Sequence, residues 1–377
     1  MLFISECIVR FAYRYNFGIK RLCFYRHDNL KLENIDDIEF LLKNAPFPLE
    51  PYTNYGNFII NSRGFRTPEY ELKKTPNTVR IINIGDSFVS DCGKLPYPYH
   101  FTLVIKNKLK AWLNNEQVEM INLGLPSIGP RFEQKILELE GIRLNPDLII
   151  WYFCIGNDFT DEIPLSSIRK YPIKEQILLK SYFYRLIRNV CILRSHNVNS
   201  NAPRVSVSRE RKGGIYVGST EDYDPQKPTF ARDTFIKIQM LHMRIFAKET
   251  FPWRQWKSIQ KTFTEVRDLC KYFDIPLLVV IIPDEIQVNF NLLQEVARRM
   301  NKNIDDFQMY YPQTLLTDFF QRNEIEYLDL LPIFRQKGKT AALYTLQDTH
   351  FNKEGSLLVA ESIFEYLILY KNYLKNI

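Results

Sequence analysis

The sequence predicts an α/β fold with a parallel sheet covered by helices on both faces. Two observations carry that expectation. Short runs such as Val79–Ile84 and 147–154 are dominated by β-branched and aromatic residues, as strands buried on both faces must be. These runs alternate with stretches whose apolar residues recur at helical spacing, the pattern of a parallel sheet. A third feature marks where chemistry would sit. The run Val79–Ile84 stops at Gly85-Asp86-Ser87, presenting a hydroxyl at the carboxyl end of a buried strand. Ligands of open α/β sheets bind in the crevice beyond those ends.

The strand at residues 79–84 follows a polar, proline-containing lead-in, 28–78, that closes with Asn61-Ser62-Arg63-Gly64-Phe65-Arg66. Gly64 suggests a turn, and the two arginines either line a cleft or are solvated. After Ser87, residues 98–113 carry Leu103, Ile105, Leu109 and Leu113 at helical spacing. A second strand, 118–123, closes on Gly124; 132–142 is helical; a third strand, 147–154, closes on Gly156-Asn157-Asp158. The alternation then stops and resumes at an amphipathic helix, 256–273. A strongly apolar strand, 276–282, ends at Pro283-Asp284-Glu285; 304–322 reads as helical and 325–330 as a short strand. The last unit opens on Asp348-Thr349-His350-Phe351-Asn352, with Asn352 a suitable N-cap. Its helix runs to about residue 371, with Val359, Ile363, Leu367 and Tyr370 on one face.

This organisation divides the chain into a partly helical lead-in (1–77), a sheet domain in two pieces (78–161 and 256–377) and an insertion (162–255). The insertion contains a helical stretch, 178–193, with Lys180, Arg185, Arg188 and Arg194 around an apolar stripe. A stripe of that kind must be buried against something: the rim of the sheet domain as a cap, a partner, or a membrane surface. The basic piece holding Arg204, Arg209, Arg211 and Lys212 lacks the interleaved aromatics of a nucleic-acid groove and reads as a solvated loop.

With 377 residues, the chain suffices for one large domain or a domain with a substantial insertion. Its 45% hydrophobic and 25% charged residues match an ordinary globular protein, which excludes a disordered or fibrous class. A net charge of +7 suits an anionic surface or substrate without requiring one. Cys7, Cys23, Cys92, Cys154, Cys191 and Cys270 have no spacing of a disulfide framework or zinc site. No metal and no cofactor are expected. The apolar N-terminus is interrupted by Glu6 and Arg10 and lacks the pattern of a secretory signal. No window reaches the roughly 18 apolar residues of a membrane span. The default expectation is therefore a cytoplasmic protein, with peripheral membrane contact through a basic amphipathic helix left open.

Four polar elements fall at predicted strand ends or at the start of the last helix: Ser87, Gly124, Asn157 and the pair Asp348/His350. A serine hydroxyl is a weak nucleophile until a base takes its proton, and His350 is the best-placed histidine. His27, His100, His196 and His242 stand in no comparable context, and His100 reads as a surface residue. An imidazole base needs a carboxylate partner. Asp348, two residues away, would share its direction in an extended segment. The backbone N–H groups of Ser87 and Gly124 and the amide of Asn157 can supply three donors to an oxyanion.

These blocks, Gly85-Asp86-Ser87, Gly124, Gly156-Asn157-Asp158 and Asp348/His350, resemble in order and kind the four blocks of the SGNH (GDSL-like) hydrolases. The resemblance runs from about residue 79 to the C-terminal helix, interrupted by the insertion. It implies a flavodoxin-like three-layer fold with Ser87 as nucleophile, Ser87, Gly124 and Asn157 as oxyanion donors, and His350 as base with Asp348. It also implies metal-free cleavage or transfer of O-acyl groups on a glycan or similar ester. One departure is the spacing of the last block, where Asp and His are two residues apart rather than three. Other motifs fail. Val89 stands where a G-x-S-x-G elbow needs glycine, and Gly338-Lys339-Thr340 lacks the earlier glycine and following helix of a phosphate-binding loop. Two classes remain: a serine esterase or O-acyltransferase acting on an acylated small molecule or glycan, and a catalytically silent module that binds a glycan or protein.

Overall fold

The computed structural model describes residue 49 and residues 51–91, 95–162 and 213–369. The helical stretch at 178–193, the basic piece at 204–212 and the first 48 residues lie outside the described residues. Two short strands, β1 (Asn54–Tyr55) and β2 (Phe58–Ile59), precede the main sheet. With β6 (Ile215–Tyr216) they form a small antiparallel sheet in the order β1–β2–β6.

The main sheet contains β3 (Val79–Ile84), β4 (Val118–Asn122), β5 (Leu148–Cys154), β7 (Leu277–Ile282) and β8 (Glu326–Asp329), in the order β4–β3–β5–β7–β8, all parallel. This is the flavodoxin-like order, and its direction of winding reverses between β3 and β5, where a crevice opens at the strands' carboxyl ends. Every residue of β3 and β5 is buried, because helices cover both faces. Alternate strand residues feed two cores. Ile82, Ile84, Trp151, Phe153 and Ile281 face one; Ile81, Tyr152, Cys154 and Val280 face the other.

The helices, in chain order, are α1 (Ser87–Ser90), α2 (Phe101–Leu113), α3 (Pro130–Ile136), α4 (Asp158–Asp161), α5 (Arg232–His242), α6 (Trp253–Tyr272), α7 (Glu285–Val288), α8 (Phe290–Arg299), α9 (Tyr311–Arg322), α10 (Leu331–Lys337) and α11 (Lys353–Leu369). α6 buries Trp256, Ile259, Phe263, Val266 and Cys270, a stripe at three- and four-residue spacing. α11 starts where expected: Asn352 Oδ1 accepts the Gly355 N–H at 2.9 Å. Other boundaries differ. The predicted helix at 132–142 begins at Pro130, a favoured first-turn residue, and passes into a π turn over Leu137–Gly141. The predicted helix at 304–322 is a 3₁₀ turn, Ile304–Asp306, followed by α9. α8 escaped the sequence reading. No described helix is long and apolar enough to cross a membrane.

Arg63 and Arg66 are neither solvated nor aligned along a cleft. Arg63 pairs with Glu140 at 2.5 Å. Arg66, 1% exposed, pairs with Asp91 at 3.0 Å, donates to Asn57 Oδ1 at 2.7 Å and lies near the rings of Phe58 and Tyr97. A buried guanidinium needs this many partners to offset lost hydration.

Candidate active site

The structure brings Ser87, His350 and Asp348 into one hydrogen-bonded line. Ser87 Oγ lies 2.8 Å from His350 Nε2, and His350 Nδ1 lies 2.6 Å from Asp348 Oδ1. Ser87 opens α1 directly beyond β3. Its neighbour Asp86 is the N-cap, accepting the Phe88 N–H at 2.9 Å. Gly124 lets α1 sit close: a Cβ there would lie 2.5 Å from Val89 Cβ and 2.8 Å from Ser90 N. Among the described residues, the backbone N–H groups of Ser87 and Gly124 have no protein acceptor. Both sit beside the Ser87 hydroxyl, at the ends of adjacent strands.

The Asp348–His350 pairing has a different cause from the expected extended segment. Residues 346–350 form turns and bends, with Gln347 at φ +50°. Asp348 Oδ1 accepts the backbone N–H of His350 at 3.0 Å as well as its ring nitrogen. This Asx turn folds the imidazole back onto the carboxylate and makes a two-residue spacing sufficient. Phe88 flanks the imidazole, ring centroids 5.1 Å apart.

Asn157 also reaches the site, but both of its amide hydrogens go to carboxylates: Asp86 Oδ2 at 2.9 Å and Asp161 Oδ2 at 3.0 Å. Asp86 is fully buried, and burial raises its carboxyl pKa against the opposing effect of the Phe88 N–H and the Asn157 amide. Burial likewise raises Asp161. Deeper in, Glu133 accepts from Trp151 Nε1 and Asp158 from the Cys154 N–H, each at 2.6 Å. Burial pushes both acids well up, helped next by the Asp86 charge for Glu133 and by the Glu133 and Asp86 charges for Asp158.

His100 is not at the surface. It is 1% exposed and ends a buried hydrogen-bond chain. Tyr152 Oη donates to Asn83 at 3.0 Å, Asn83 Nδ2 to Asn122 at 3.1 Å, and Asn122 Nδ2 to Thr102 at 2.9 Å. Thr102 Oγ1 meets His100 Nδ1 at 2.7 Å, and His100 Nε2 meets the Phe88 carbonyl at 3.2 Å. Followed from Tyr152, the donors leave Nε2 carrying the proton toward Phe88, which ties α1 to the sheet.

The cleft over Ser87 encloses about 290 Å³ and is lined by Ser87, Asn157 and His350 together with Pro126, Cys154, Phe230, Ile238, His242 and Asp284. The segment leading to α6 supplies one wall, with Phe230, Ile238 and His242. Its residues 225–230 run beside the histidine loop: Leu346 donates to the Pro225 carbonyl, and Thr229 and Phe230 donate to those of Leu346 and Gln347 at 3.1 and 3.2 Å. His242 is the residue sequence reasoning passed over. Its Nδ1 lies 2.6 Å from Asp284 Oδ2. The available signal was Asp284 at the end of a strand, but its histidine stands 42 residues away, in a segment with no motif. Among the described residues, no cluster of three or more His, Cys, Asp or Glu is arranged to hold a metal ion.

The chain matches no protein-family profile and no curated protein. Among solved structures it is similar to an acetyl xylan esterase, AlAXEase, at 13% identity over 77% of this chain and 100% of that one, with a TM-score of 0.41. It is similar to a lipase/acylhydrolase from Enterococcus faecalis at 13% identity, covering 77% and 95%, with a TM-score of 0.35. A catalytic mutant of an acetylxylan esterase from Geobacillus stearothermophilus is similar at 12% identity, covering 78% and 95%, with a TM-score of 0.39. Overlaps this loose assign no chemistry. On its own geometry the chain has an SGNH-like arrangement: a five-stranded parallel sheet with the four sequence blocks at the carboxyl ends of β3, β4 and β5 and before α11.

Proposed function

We infer that the protein is a serine esterase or O-acyltransferase acting on an acylated small molecule or glycan. The observation that carries this is the unbroken line from Ser87 Oγ through His350 to Asp348, at 2.8 and 2.6 Å. Nucleophile, base and orienting carboxylate need to be within hydrogen-bond reach of one another.

In the first half-reaction His350 Nε2 takes the Ser87 proton as Oγ attacks the acyl carbonyl. Buried Asp348 stabilises the imidazolium that forms. The oxyanion accepts from the backbone N–H groups of Ser87 and Gly124. The Asn157 amide joins them by exchanging Asp161 for the oxyanion. His350 then gives its proton to the departing alkoxide, leaving acyl-Ser87. Water or a second hydroxyl attacks the acyl group with His350 again as base, so hydrolysis and transfer share one machinery. The wall at 225–242 caps the cleft and limits water, which favours transfer to a bound hydroxyl.

One observation favours the alternative, a catalytically silent module that binds a glycan or partner: both hydrogens of the Asn157 amide are already committed. The two readings separate on 4-nitrophenyl acetate. An esterase turns it over, and Ser87→Ala abolishes turnover. Equal rates with wild type and Ser87→Ala would leave the silent module.

A further inference from the structure

A second imidazole–carboxylate pair faces the Ser87 cleft, and no step of the reaction just described uses it. His242 ends α5 and Asp284 caps α7; Nδ1 and Oδ2 are 2.6 Å apart. The pair is held firmly. Asp284 is 4% exposed, and its other oxygen accepts the Ile286 N–H at 2.9 Å. Gly156, the residue before Asn157, leaves the room it needs: a Cβ there would lie 2.3 Å from Asp284 Oδ2 and 3.1 Å from His242 Nδ1.

The carboxylate settles which nitrogen faces the cleft. In the neutral imidazole the Nδ1 proton goes to Asp284, and Nε2 is left as an acceptor. Among the described residues, Nε2 has no protein partner. A serine-dependent acyl reaction needs one base, since a single histidine serves both halves. The second imidazole is therefore surplus to bond-making and available for recognition. Its surroundings select the ligand group. Asp284 and Asp161 disfavour an anion, and the cleft combines apolar walls, Phe230 and Ile238, with the hydroxyl side chains Ser127 and Thr349, a lining suited to a neutral, hydroxyl-bearing group. We propose that His242, positioned by Asp284, is the hydroxyl-recognising residue of the cleft, accepting a hydrogen bond at Nε2 from a free hydroxyl on the alcohol portion of the ester. This rests on Ser87 being the nucleophile.

A matched substrate pair tests it: 1-acetylglycerol and its 2,3-di-O-methyl ether, which lacks the free hydroxyls. Wild type should prefer the hydroxyl-bearing ester by about 10- to 100-fold in kcat/KM, because a buried acceptor left unpaired penalises the ether. His242→Asn keeps an N–H for Asp284 but removes the outward nitrogen, and it should reduce the preference to within about threefold. His242→Gln places an amide near the Nε2 position and should restore part of it. Labelling of Ser87 by a fluorophosphonate shows that each variant retains its site. A wild type without the preference, or a His242→Asn that slows both esters by one factor, overturns the proposal. Labelling lost in both variants also overturns it, by making the pair a brace for the Gly156–Asn157 turn. A wild type inert to the fluorophosphonate is a different failure: it removes Ser87 as nucleophile, and the recognition role goes with it.

Discussion

Asp348 Oδ1 receives two hydrogen bonds from one residue, the backbone N–H of His350 at 3.0 Å and its Nδ1 at 2.6 Å. One oxygen thus sets both the turn and the ring. Asp348→Asn keeps an acceptor for the backbone N–H, so the turn should survive and the melting temperature should hardly move. The Asn side chain cannot stabilise an imidazolium, and turnover should drop by about three to four orders of magnitude. A loss below about tenfold would mean that another group orients His350.

Asn157 offers a contrast between two substitutions. Removing one preorganised oxyanion donor typically lowers turnover by about 100- to 1,000-fold, and Asn157→Ala should fall in that range with KM little changed. Asp161→Leu removes the acceptor that competes for the same amide, so it should slow the enzyme far less. If the two variants are equally slow, the Asn157–Asp161 bond holds the loop and the oxyanion is bound by backbone N–H groups alone.

The Arg66–Asp91 pair should matter for stability through its burial. Removing one partner of a buried ion pair leaves an uncompensated charge and destabilises by about 3–5 kcal/mol. Arg66→Met should therefore lower the thermal midpoint by several degrees, and adding Asp91→Leu should recover part of the loss. A single variant melting with wild type would show that Asp91 is neutral in the folded protein, which burial already favours.

His100 makes a pH prediction. Burial, with the Arg66 charge adding to it, holds the imidazole down to about 3, from an ordinary value of 6.5. The unfolded chain therefore takes up the proton first as pH falls. The stability that His100 contributes is whole above pH 6.5 and is lost progressively toward pH 3. His100→Gln keeps an N–H for the Phe88 carbonyl and cannot titrate. Its melting temperature relative to wild type should rise as pH falls through that window. A difference that stays constant with pH would contradict a buried neutral His100.

Much of the sheet was legible because both faces of each central strand are covered, so Val79–Ile84 and Leu148–Cys154 advertise themselves as apolar runs. Ser87, Gly124 and Asn157 were legible for a related reason, since tight turns after buried strands gather such residues into short motifs, and Asp348 and His350 were legible as a short motif just ahead of the last helix. What escaped was tertiary. His100 carries no apolar label, and its burial depends on an amide chain that crosses two strands through Asn83 and Asn122. The pairing of His242 with Asp284 joins segments 42 residues apart, with no local pattern to announce it. The commitment of Asn157 to Asp86 as well as to Asp161 arises only when the segments after β3 and β5 meet. Helix α8 did carry a local signal, Leu292, Leu293, Val296 and Ala297 at helical spacing, and the sequence reading passed over it.

The central claim is that Ser87 is activated by His350, and the most direct test is reaction with a fluorophosphonate, with the modified residue mapped by mass spectrometry. The wild type should take up one phosphonyl group on Ser87, and Ser87→Ala should take up none. His350→Ala, which leaves the hydroxyl but removes its base, should react more slowly by orders of magnitude. A wild type that stays unmodified, a label mapped elsewhere, or equal labelling of wild type and His350→Ala would contradict it.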